Sequence, residues 1–123
     1  FNGNPDSEGG YSSVATMKAV GDYVTYSFPV PVSGNFNFKL NYKLSKSSRG
    51  TARFSLVRSD GTEERLGSDI EESTNQTEKM QTIDLGSHSI EAGTLKLRMR
   101  LVGGGISGTG KLIGFNYLLL TRK

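Results

Sequence analysis

Between Gly34 and Leu44 the sequence alternates without interruption. Phe36, Phe38, Leu40, Tyr42 and Leu44 are apolar, and Asn35, Asn37, Lys39, Asn41 and Lys43 between them are polar. Successive side chains of an extended backbone point to opposite sides, so such a segment is a strand with one face in a core and the other in water. A helix would scatter the same apolar residues around its circumference. This strand commits the chain to sheet packing, because its apolar face needs a second apolar face to cover it.

Other segments supply that second face. Thr94 to Val102 turns Leu95, Leu97, Met99 and Leu101 inward and Lys96, Arg98 and Arg100 outward, and Thr51 to Arg58 carries Ala52, Phe54 and Leu56 on one side. Tyr23 to Phe28 reads as a further strand. Pro29 and Pro31 then mark a strand end or edge, since proline has no N–H for a ladder. Asp60-Gly61 within Ser59 to Thr62 is a hairpin turn, and Glu63 to Leu66 is the strand returning from it. Gly67 to Lys79 is polar and acidic and is expected to be a long loop. Gln81 to Leu85 and Ser87 to Ile90 read as one strand broken near Gly86. Gly103 to Gly110 reads as a flexible loop, and Lys111 to Thr121 as the closing strand. No segment carries a capped helical stripe. Short strands separated by turns predict an all-β fold, an antiparallel sandwich or barrel, and with no repeat or linker one domain spans 1–123.

The 123 residues contain no cysteine, which excludes disulfides, thiolate metal sites and thiol chemistry. No apolar run approaches the roughly 20 residues that span a bilayer, so no membrane partner is expected. The chain starts at Phe1 with no initiator Met and no signal-like segment, and it reads as a mature product or a module excised from a larger multidomain protein. Its glycines, asparagines, serines and threonines suit a secreted β protein. The net charge of +3 is unevenly laid out: Thr62 to Glu91 holds eight acids against Arg65 and Lys79, and no acid follows Glu91. Such a basic bias attracts polyanions, or is the solvated face of a soluble domain.

The residues of familiar catalytic sites are missing. His88 is the only histidine, so it cannot share a metal with a second one, and it reads as solvent-facing. No serine lies in a nucleophile elbow. Glu63-Glu64 and Glu71-Glu72 are adjacent, and neighbours on an extended chain point apart rather than face each other across a glycosidic bond. The Asp69 to Glu72 segment could offer oxygens to calcium but lacks the spacing of an EF-hand. The run Gly103 to Lys111 misses the spacing of a phosphate loop. Phe36, Phe38 and Tyr42 lie opposite Lys39 and Lys43, which makes them core residues and argues against a nucleic-acid platform. Asn75-Gln76-Thr77 is a glycosylation sequon, meaningful only in a eukaryotic secretory host. The chain is read as no enzyme.

The order and spacing of several pieces carry a resemblance. Gly21-Asp-Tyr-Val-Thr-Tyr-Ser-Phe-Pro-Val-Pro-Val-Ser-Gly34 precedes the alternating strand, Ile90-Glu-Ala-Gly-Thr-Leu-Lys-Leu-Arg-Met99 follows later, and Asn116-Tyr-Leu-Leu-Leu120 closes the chain. Together they resemble carbohydrate-binding modules of the family 6, 35 and 36 type, from about Gly10 onward. The resemblance implies a jelly-roll β-sandwich of the galactose-binding-domain-like group. It further implies a non-catalytic, monomeric bacterial module that binds a polysaccharide or oligosaccharide. Such a module is usually joined to an extracellular or cell-surface glycoside hydrolase or lyase.

In the resembled modules the main site lies on loops at one edge, here Glu8 to Met17, Ser45 to Gly50, Asn75 to Gln81 and Gly103 to Lys111. The two positions that often hold sugar-stacking aromatics fall on Met17 and near Glu78, and the chain has no Trp. Gly114 stands where relatives often hold a sugar-binding Asn, and Asn116 matches a position that is structural or near a metal. A structural calcium is possible, although the acidic N-terminal segment that helps bind it in relatives is not among these residues. Tyr11 is the one plausible exposed aromatic. Lys46, Arg49, Lys79 and Lys111 would suit sugar carboxylates, and the row Lys96, Arg98, Arg100 is a second candidate. All of these also read as solubilising charge. A structural or adhesive sandwich in a large surface protein, without a sugar site, is the competing expectation.

Overall fold

The computed structural model describes residues 4–5, 11–46 and 49–123. Among these, the strands are β1 (Asn4–Pro5), β2 (Tyr11–Thr16), β3 (Tyr23–Val30), β4 (Gly34–Leu44), β5 (Thr51–Val57), β6 (Glu63–Arg65), β7 (Ile70–Glu71), β8 (Lys79–Ile90), β9 (Gly93–Gly103), β10 (Leu112–Phe115) and β11 (Tyr117–Arg122). One turn of 3-10 helix occupies Gly105–Ser107. The strands pair antiparallel as β11–β4–β8, as β3–β9–β5–β6 with β7 on β5, and as a short sheet β1–β2–β10. The architecture is the expected antiparallel β-sandwich. No helix among the described residues is long and apolar enough to cross a membrane.

The core forms where the alternating faces meet. Phe38 and Leu40 of β4 oppose Phe54 of β5 and Leu97, Met99 and Leu101 of β9, and all of these are fully buried. Phe115 of β10 reaches between the layers, its ring edge-on to Tyr26 of β3 at 5.1 Å and to Phe54 at 5.8 Å. The closing strand is split at Asn116, whose N–H donates to the Asn41 carbonyl at 2.7 Å. This lets β10 join β2 while β11 joins β4. Pro29 lies inside β3 rather than ending it, opposite Thr94. β3 terminates its sheet, where one missing ladder hydrogen bond is tolerated.

The break anticipated at Gly86 is a bulge within one strand. Phe38 pairs with Gly86 and Lys39 with Asp84, leaving Leu85 as the extra residue. Gly86 takes a positive φ of 88° there, which only glycine adopts without strain. The hairpin is formed as expected, with the Arg58 N–H on the Thr62 carbonyl at 2.8 Å.

Several expectations need correction. Asn41 points outward by parity but is buried, donating to Thr82 Oγ1 at 2.8 Å and accepting from Asn116 Nδ2 at 2.7 Å. The acidic segment after Gly67 is not simply a loop, because β7 pairs with Thr51 and Ala52, with Ile70 buried. His88 does not face solvent. Its Nδ1 meets Glu64, its Nε2 meets the Leu85 carbonyl at 2.9 Å, and its ring stands edge-on to Phe38. Glu64 also accepts from Arg58, whose pull holds that carboxyl below its ordinary range. The cluster thus ties β6 of one sheet to β8 of the other.

Candidate functional site

The described parts of the four expected connections meet at one end of the sandwich. The Met17 N–H donates to the Lys111 carbonyl and the Gly50 N–H to the Leu112 carbonyl, both at 2.8 Å. Glu78 Oε2 accepts from Ser45 Oγ at 2.9 Å and from the Lys46 N–H at 2.7 Å. Ser73 Oγ accepts from the Ile106 N–H at 2.8 Å. Residues 8–10 of the first connection and 47–48 of the second lie outside the described residues.

At the centre of this end, Arg49 Nη1 lies 3.3 Å from Glu72 Oε1, which also accepts the Gly114 N–H at 2.8 Å. Both side chains are buried, and Arg49 Nε and Glu72 Oε2 have no hydrogen-bond partner among the described residues. Burial pushes the Glu72 carboxyl up to about 8, against the opposing pull of the Gly114 N–H and Arg49. The glycine run after β9 serves this centre. A Cβ at Gly110 would lie 2.0 Å from the Arg49 carbonyl oxygen, and one at Gly105 2.3 Å from it. The run read as flexible is therefore packed against the backbone of the neighbouring connection.

This arrangement divides the expected site residues between the interior and the surface. Arg49 does not present its charge to solvent, and Met17 is a core residue only 5% exposed. Glu78 is a loop brace, its carboxyl held below the ordinary range chiefly by the Lys46 N–H and then the Ser45 hydroxyl. Lys46, Lys79 and Lys111 are exposed. Asn116 is half-buried, with its Nδ2 shared between Asn41 Oδ1 and Met80 Sδ. Tyr11 is placed by its backbone alone, opposite Pro5. The oxygens considered for calcium are engaged elsewhere: Asp69 with Arg53 and Arg65, Glu71 with the Thr51 hydroxyl, and Glu72 with Arg49. Among the described residues no cluster of three or more acids or histidines is arranged to hold a metal.

A second surface is built on the outer face of the β3–β9–β5–β6 sheet. Register puts Tyr23 opposite Arg100 and Arg100 opposite Arg53, then Thr25 opposite Arg98, Arg98 opposite Ser55, and Ser55 opposite Arg65. Tyr23 is 49% exposed, so Tyr11 is not the only candidate for an exposed aromatic. The Arg98 and Arg100 guanidinium carbons lie 4.0 and 4.7 Å from the Tyr23 ring centre. Arg98 Nε donates to Thr25 Oγ1 at 3.1 Å and Arg100 Nη1 to the Gly21 carbonyl at 2.8 Å, fixing both side chains over the sheet. Beside the ring, Thr16 to Lys18 and Gly21 to Val24 line an open depression of about 390 Å³. Sequence reasoning missed Tyr23, yet its signal was available: Tyr23, Thr25 and Ser27 share one parity in β3, so the ring stands on the polar side.

No family model matches the sequence, and no curated protein matches it. Among solved structures, a Paenibacillus xanthan lyase superposes with a TM-score of 0.78 at 21% identity, over 99% of this chain. The chain spans 11% of that lyase. The C-terminal family 6 carbohydrate-binding module of LamC, a marine laminarinase from Zobellia galactanivorans, superposes with a TM-score of 0.54 at 21% identity, over 98% of this chain and 87% of the module. These likenesses show the fold: this sandwich is built as a family 6 carbohydrate-binding module is built.

Proposed function

We infer that this chain is a non-catalytic module that binds a polysaccharide and, within a longer secreted protein, holds an attached enzyme near its substrate. The observation that carries this reading is the half-exposed Tyr23 with two guanidinium groups stacked over its ring, on the outer sheet face of a carbohydrate-binding-module fold. An aromatic ring offers a flat partner to the apolar face of a pyranose. Guanidinium groups donate paired hydrogen bonds to hydroxyls and carboxylates. Arg53, Arg65, Lys96, Arg98 and Arg100 share this face with Glu63, Asp69 and Glu71, and the first two carboxylates contact four of them. The excess of positive charge favours an acidic polymer through long-range attraction.

Exposed Lys46, Lys79 and Lys111 offer a lesser rim at the loop end. Strands hold the central groups in place, so little ordering is needed on binding. Weak affinity is sufficient for a tether, since attachment raises the effective concentration of enzyme at its substrate.

Affinity electrophoresis in gels containing dextran or polygalacturonate tests the reading. The expected result is retardation by the acidic polymer that weakens as salt is added, because salt screens exposed charges. Unchanged mobility in both gels would contradict it.

A further inference from the structure

Two carboxylates touch the arginines of the outer sheet face, and they do so differently. Asp69 grips Arg53 at two points, Nε to Oδ1 at 2.9 Å and Nη2 to Oδ2 at 3.0 Å, and takes Arg65 Nη2 at 2.7 Å. That bidentate, charge-assisted arrangement is strong and is part of the turn between β6 and β7. Glu63 instead offers one oxygen. Its Oε2 is 2.9 Å from Arg98 Nη1 and 3.1 Å from Arg100 Nη2, and neither guanidinium makes a two-point contact with a carboxylate among the described residues. Glu63 stands at the start of the three-residue strand β6, immediately after the hairpin, and is exposed. It stands opposite Val57, two residues along β5 from the small buried Ser55 that Arg98 faces. Rotating the Glu63 side chain into solvent breaks no backbone pairing.

We propose that Glu63 occupies the place of a ligand carboxylate in the Arg98–Arg100 fork, which rests on the Tyr23 ring, so that a uronic-acid unit binds by displacing it. This rests on the polysaccharide reading above and adds the chemistry it selects. A neutral sugar cannot replace the ion pairs it would break, whereas a carboxylated one restores them, with the option of two-point contacts. Glu63 is thus a built-in competitor that raises discrimination at a cost in affinity.

The test is titration of wild type, Glu63→Gln, Glu91→Gln and Arg98→Ala with polygalacturonate, dextran sulfate and dextran. Glu91→Gln removes the same charge at the β8–β9 turn, where no ion pair with Arg98 or Arg100 is made among the described residues. Glu63→Gln is expected to tighten polygalacturonate binding roughly three- to tenfold, the effect of one or two exposed ion pairs. Glu91→Gln should leave binding nearly unchanged, and Arg98→Ala should weaken it. A Glu63→Gln gain no larger than that of Glu91→Gln, or an equal gain with dextran sulfate, would overturn the exchange while leaving polysaccharide binding intact. Failure of wild type to bind any of the three polymers would remove the polysaccharide reading and the exchange with it.

Discussion

The loop end and the outer sheet face are both rich in charge, and they use it in opposite ways. At the loop end Arg49 and Glu72 are turned inward, Glu78 braces Ser45 and Lys46, and glycines press against the Arg49 carbonyl. On the sheet face Arg98 and Arg100 lie over Tyr23, anchored by Thr25 and the Gly21 carbonyl. Among the described residues they meet only a single carboxylate oxygen, that of Glu63. Loops must satisfy backbone and side-chain polar groups without a ladder to do it, so their charged residues are drawn into construction. Strands satisfy their backbone by pairing, which leaves the outward side chains available to a partner.

Removing the same chemical group from each region should break this symmetry most sharply. Glu72→Ala takes a buried acceptor from both Arg49 Nη1 and the Gly114 N–H and should cost about 3 kcal/mol or more in urea unfolding. Glu63→Ala removes an exposed pair and should cost less than about 1 kcal/mol. Equal costs would dissolve the distinction. Gly110→Ala drives a methyl into the Arg49 carbonyl and should cost about 1–3 kcal/mol by overpacking. Gly61→Ala, in a hairpin turn with open space around it, meets only the strain of its positive φ, about 1 kcal/mol.

A pH series sharpens the comparison further. The folded-state pKa of Glu72 is raised to about 8 by burial, whereas an unfolded glutamate titrates near ~4.3. Between those values the folded state holds more protons than the unfolded one, so stability falls as pH rises from about 5 to about 8. Glu72→Gln removes that proton from the balance. The stability of wild type relative to this variant should decline across the window by at most about 1.4 kcal/mol per pH unit. The smallest effect is expected from Glu78→Gln. It keeps an acceptor for Ser45 and Lys46 but loses charge assistance, and thermal unfolding should shift less than in any of the other variants.

The framework was legible because its signals are local. β4 and β9 each alternate over enough residues to exclude a helix, and Asp60-Gly61 and Gly86 mark their turn and bulge by backbone conformation alone. What was not legible depends on partners far away in sequence. Asn41 is buried by contact with Asn116, 75 residues on. Arg49 is drawn inward by Glu72, 23 residues on. His88 is taken from solvent by Glu64 on the opposite sheet. Each of these residues sits in a polar context that reads as surface until the fold supplies its partner. The sheet-face site is intermediate. The parity of Tyr23 and of Arg98 and Arg100 is local, but their meeting needs β3 beside β9.

The central claim is that recognition sits on the sheet face rather than at the loop end, and one paired measurement addresses it. Retardation by polygalacturonate is compared for Arg98→Ala with Arg100→Ala and for Lys46→Ala with Lys79→Ala and Lys111→Ala. The account predicts that the first combination abolishes retardation and that the second, which removes more charge, preserves most of it. Loss with the loop variant and retention with the sheet variant would contradict it.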